Sequence, residues 1–159
     1  PTNAGRGRAT RRELTTRAAA AGVTCVTLER SAGARVSNLA RVVLTLLLTL
    51  GPEARALVDK HGLHRGLPLA LVAGVPVWDR QGHDEDRARG RAAVRVVASR
   101  VAAFFFDAVR RHPLALVVDP SALSDPLAAG VILRLRRAIA RSKSVRSDVG
   151  GFLLALPGT

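Results

Sequence analysis

Residues 112–126 read His112-Pro113-Leu114-Ala115-Leu116-Val117-Val118-Asp119-Pro120-Ser121-Ala122-Leu123-Ser124-Asp125-Pro126. Five consecutive apolar residues stand between a proline and an Asp-Pro pair. A run so short and so apolar reads as a strand buried on both faces, the habit of parallel sheets. Asp125 has the chemistry of a helix N-cap. Pro126 suits the first helical position, where a missing N–H costs nothing. A strand that leads at once into a helix start is the opening of a βαβ unit. Helix is therefore expected over 127–140 and a further strand over 149–156, weakened at its start by Gly150 and Gly151.

Upstream, a long helix is expected over 84–111. Asp84, Glu85 and Asp86 fall in its first turn and Arg110, Arg111 and His112 at its end, the arrangement that the helix dipole favours. Val94, Val97, Val101, Phe104, Phe105 and Ala108 recur along it at helical spacing. Leu67 to Trp78 reads as a strand region, with Leu69–Ala73 continuously apolar and Pro76 marking an edge or a bulge. Ser37 and Asn38 are N-cap types ahead of an apolar helix over 39–50. A short helix over 53–60 follows, stopped by His61-Gly62. Val23–Leu28 is rich in β-branched residues and reads as a strand, and Arg11–Ala21 has helical composition that ends at Gly22. Apolar strands separated by helices of crossover length imply a mostly parallel sheet. The expectation is a single three-layer α/β domain over 22–159, with about four strands and helices on both faces. A basic arm or leading helix over 1–21 precedes it.

The chain has 159 residues, of which 48% are hydrophobic, and a mean hydropathy of +0.16, which excludes a disordered polar tail. Its single cysteine, Cys25, excludes a disulfide framework and a cysteine-based zinc site. The longest apolar-plus-Thr run, Val42–Leu50, is shorter than the ~20 residues that span a bilayer. Lys+Arg number 25 against 12 Asp+Glu, a formal charge of +13, and only Lys60 and Lys143 are lysines. A GC-rich coding sequence would favour arginine in the same way. The excess is nonetheless clustered. Arg134, Arg136, Arg137, Arg141, Lys143 and Arg146 fall within 134–146 without an acid, and Arg6, Arg8, Arg11, Arg12 and Arg17 face only Glu13 in the arm. Like charges at this density are tolerated best beside a polyanion, and arginine binds phosphate bidentately.

The stretch Ala108-Val109-Arg110-Arg111-His112-Pro113 with the strand Leu114–Val118 and Asp119 resembles the segment that leads into the Walker B strand of Clp-type and torsin-type AAA+ ATPases. The resemblance covers residues 22–159 by order of elements and implies a P-loop-NTPase-like core, with helix 127–140 and strand 149–156 where the sensor strand would be. The nucleotide-binding residues do not carry over. The loop Ser31–Ser37 after the first strand has one glycine and no lysine, and Arg35 matches that lysine in neither reach nor shape. Pro120 stands where the catalytic glutamate belongs. The resemblance thus implies a degenerate member that binds no nucleotide productively.

Other residues were weighed for chemistry. Asp79 and Asp119 end predicted strands, where open α/β sheets place ligands and where two carboxylates could share a divalent cation. Turn and cap roles are the competing reading, and the favoured one. His61 and His64 form H-x2-H, but zinc needs three or four converging ligands, so solvated loop histidines are expected. Cys25 in a β-branched strand is expected to be an inert thiol. Phe104, Phe105 and Phe106 span too wide an arc for one buried stripe, so one of them is available to a partner surface.

The expected function is a non-catalytic, basic α/β subunit of a ribonucleoprotein assembly such as an organellar ribosome, in an intracellular and mitochondrial or similar matrix. It has no cofactor and no membrane span. RNA phosphates, or another polyanion, are met by Arg6, Arg8, Arg11, Arg12, Arg136, Arg137, Arg141, Lys143 and Arg146, and neighbouring proteins of the assembly are the other partners. The alternatives are a degenerate AAA+-like regulatory module and a metal-dependent nuclease or phosphotransferase built on Asp79 and Asp119.

Overall fold

The computed structural model describes residues 13, 15–30, 37–63, 84–144 and 152–155. Among these the elements are β1 (Thr24–Leu28), α1 (Leu39–Leu50), α2 (Glu53–Lys60), α3 (Asp84–Val109), β2 (Leu114–Val118), a 3-10 turn (Pro120–Ser124), α4 (Pro126–Ser144) and β3 (Phe152–Ala155). The chain is mixed α/β, mostly helical, with one parallel sheet in the order β1-β2-β3. Thr24 pairs with Leu114 and Leu28 with Val118, and on the other side Leu114 pairs with Phe152.

All five residues of β2 are buried, as their continuous apolarity requires of a central strand. Leu114, Leu116 and Val118 join Val26 and Leu28 in one apolar cluster with residues of α1, α2, α3 and α4, including Phe104, Phe105, Val131 and Leu135. Ala115 and Val117, on the opposite face, are also buried but lie outside that cluster. Helices α1 to α4 thus all contribute to the cluster on one face of the sheet, as a sequential parallel strand order favours. Against the other face, the helical residues 15–20 approach β1, where the Cys25 thiol meets Thr15 Oγ1 at 3.7 Å. The described sheet has three strands; the strand expected over 67–78 lies outside the described residues.

Helix ends follow local chemistry. Gly22 has φ +68°, and its N–H reaches Ala19 O while that of Val23 reaches Ala18 O, a Schellman closure of the first helix. Gly62, at φ +61°, closes α2 in the same way through Asp59 O and Val58 O, and it drops Leu63 into the core. Asp125 caps α4 as expected, accepting from Leu127 N at 2.9 Å.

Three expectations change. Asn38 starts α1 without capping it. Its carboxamide instead accepts from Glu29 N at 2.9 Å and donates to Thr27 O at 3.0 Å, so it bonds the edge of β1 away from β2 as a neighbouring strand would. Helix α3 ends at Val109, before its arginines. Helix α4 runs to Ser144 and not 140, so Arg141 and Lys143 are helical and not loop residues.

Candidate polyanion groove

The long α3 and α4 pack closely because small residues meet at their crossing. A Cβ built on Gly130 would stand 3.1 Å from Ala98 Cβ. Beyond this contact the helices frame an open groove of about 590 Å³, with Lys60 and His61 from the end of α2 at its rim. Arg134, Arg137 and Arg141 line it from α4. They fall together because a helix turns about 100° per residue, so positions 3 and 7 further on share a face. Arg136 lies about 100° from Arg137, about 140° from Arg141 and about 160° from Arg134 by the same geometry, and it is not among the described residues that line the groove.

Each charged group has a defined setting. Arg134 is half-buried and fixed: its Nε donates to Ser99 Oγ at 2.8 Å and its Nη1 to Gly130 O at 3.0 Å. Arg137 and Arg141 are exposed, and no carboxylate among the described residues pairs with either. Asp107 is the one acid among the described residues that line the groove. Its Oδ2 accepts from Lys60 Nζ at 2.6 Å and lies 2.9 Å from His61 Nε2. Burial pushes the Asp107 carboxyl up, but the hydrogen bonds and charges of Lys60 and His61 outweigh it and hold the group below its ordinary 3.8. The described lining thus carries four cations against one carboxylate, and that carboxylate is already engaged.

The aromatic run divides as its spacing demands. Phe104 and Phe105 are fully buried and meet edge to face at 6.0 Å between ring centroids. Phe106 is half-buried and lines the groove beside Ala102 and Ala103.

The remaining candidates are placed as follows. Asp119 caps the 3-10 turn, accepting from Ser121 N at 2.9 Å. Asp125, 6% exposed, accepts from Leu127 N through one oxygen and from Ser37 N and Ser37 Oγ through the other. Among the described residues no group of three His, Cys, Asp or Glu side chains is placed to hold a metal ion. Asp79, His64, Arg6, Arg8, Arg11, Arg12 and Arg146 lie outside the described residues, and Lys143 belongs to the last turn of α4. His61 is not the solvated loop histidine expected of it. Its side chain is 12% exposed and held on Asp107. Sequence reasoning missed Lys60, His61 and Asp107 as parts of one site, because 46 residues separate His61 from its partner. No described helix is long and apolar enough to cross a membrane. Compared with known proteins, the chain matches no family model, no curated protein and no solved structure.

Proposed function

We propose that the chain is a non-catalytic, RNA-contacting α/β subunit of a ribonucleoprotein assembly, and that α4 meets the phosphate backbone through Arg137 and Arg141. The observation that carries this reading is the groove itself, where two exposed arginines without a carboxylate partner among the described residues stand beside a fixed Arg134 and a Lys60 already paired. A solvated helix face ordinarily offsets such charges with acids at i±4. Here the only groove acid among the described residues is turned to α2. Among the described residues, Asp119 and Asp125 are engaged at caps and Asp107 in an ion pair. Leu44 and Leu48, 55% and 75% exposed on the outer side of α1, are apolar surface that a neighbouring protein of the assembly would cover.

The test is RNA binding followed by fluorescence anisotropy across a salt series. Each neutralised phosphate contributes about 0.7–0.9 to the slope of log affinity against log salt. The Arg137→Gln/Arg141→Gln double variant should flatten that slope by about 1.4–1.8 and weaken binding to unrelated sequences alike, since phosphate contacts carry no base identity. An unchanged slope and affinity would make this face of α4 an ordinary solvated surface.

A further inference from the structure

The groove combines arginines with an aromatic residue, and the two do different work. A phosphate backbone needs only the exposed arginines on the outer wall. Phe106 is half-buried and lines the same groove, together with the small residues Ala102 and Ala103 on α3 and Ala138 on α4. A core role does not explain Phe106 either, since Phe104 and Phe105 already supply the buried aromatic packing of α3. A half-buried aromatic residue that shares one groove with three arginines matches the requirements of a nucleobase whose flanking phosphates are held by the same groove. The volume of about 590 Å³ lies in the range of pockets that take small organic groups. A base within a duplex has both faces stacked and cannot enter.

We infer that the α3–α4 groove selects single-stranded nucleic acid, with an unpaired base seated against Phe106 and its phosphates on Arg137 and Arg141. This inference rests on the polyanion reading above, and it adds the strandedness of the ligand and the residue that senses it. Stacking on an aromatic side chain is sequence-tolerant because every base has a π-face, so no strong base preference accompanies it.

The experiment measures binding of a labelled oligouridylate 12-mer, a 12-base-pair RNA duplex and an abasic ribose-phosphate 12-mer to the whole chain, at one salt concentration and then across a salt series. The unaltered protein should bind the single strand more tightly than the abasic oligomer of equal charge by roughly 5- to 150-fold, the range of one base–aromatic contact. Phe106→Leu keeps an apolar side chain of similar bulk and should remove most of that difference. It should leave the abasic and duplex affinities and the salt slope unchanged. Arg137→Gln/Arg141→Gln should instead weaken all three ligands and flatten the slope. Equal binding of the oligouridylate and the abasic oligomer by the unaltered protein overturns the inference without recourse to any variant. So does a Phe106→Leu protein that discriminates as well as the parent. If the arginine variant still flattens the slope in either case, the phosphate reading stands and only the stacking role is lost. If it does not, both fall together.

Discussion

Asp125 ties the chain after β1 to the start of α4, and its removal should be the most damaging single polar change among the described residues. One carboxylate oxygen accepts from Leu127 N at 2.9 Å, and the other from Ser37 N at 3.0 Å and Ser37 Oγ at 2.7 Å. Asp125→Ala loses an N-cap, worth about 1 kcal/mol. It also strands the buried N–H and hydroxyl of Ser37, each of which had a charged acceptor worth about 1.5–3 kcal/mol. The hydroxyl recovers part of this by rotating, so the total is set at about 3–5 kcal/mol. With a urea m-value of roughly 2 kcal/mol/M, the unfolding midpoint should fall by about 1.5–2.5 M with m unchanged. Asp125→Asn keeps an oxygen for Leu127 N but turns an amide donor toward the Ser37 donors, so it should lose about 2–3 kcal/mol. Ser37→Ala alone should cost about 1–2 kcal/mol, and clearly less once Asp125 is alanine, when only the long 3.4 Å bond that its Oγ accepts from Leu39 N is left to lose. Urea titration followed by far-UV circular dichroism reads all four proteins. A midpoint shift for Asp125→Ala below about 0.5 M would refute the argument, and so would additivity of the Ser37 and Asp125 losses.

Asn38→Ala should destabilise by about 1–2 kcal/mol, because Thr27 O and Glu29 N lose their edge partner. Asn38→Asp should recover only the bond from Glu29 N, and hydrogen exchange at that amide distinguishes the two. Gly130→Leu should cost about 1–3 kcal/mol by forcing α3 and α4 apart at Ala98, read from the thermal midpoint. Asp107 ionises below 3.8 in the folded chain, so its stabilising contribution is complete above that pH and is lost as pH falls through the folded value. Stability measured against pH should therefore show the wild type and Asp107→Asn converging in acid and separating toward neutrality, and parallel curves would contradict it.

Much of the fold was legible because it is written in local chemistry. The strand Leu114–Val118 is bounded as its flanking prolines and Asp119 imply, and the stops at Gly22 and Gly62 coincide with the positive φ that only glycine adopts cheaply. The N-cap at Asp125 was equally plain. Less legible was the length of α4. Arg141-Ser142-Lys143 carries no breaker, and the charge run suggested a loop where the helix simply continues. Asn38 misled for a related reason. A residue that caps well by type also bonds well to any backbone edge nearby, and the proximity of β1 made the edge the better partner.

The sequence alone determined the parallel sheet, the buried central strand, the excess of arginine and the need for one residue of Phe104–Phe106 to leave the core. Each of these follows from periodicity or from the charge carried by the chain itself. The tertiary structure decided which of those charges act together. Lys60 and His61 at the end of α2, Asp107 on α3 and the arginines of α4 share a groove because helices distant in sequence cross over one face of the sheet. Helical period excludes Arg136 from the company of Arg137, but only the packing of α4 on α3 says which side of the helix looks into the groove. That choice belongs to Val131 and Leu135, whose burial turns α4 about its own axis, and to Gly130, which lets α4 approach Ala98 closely.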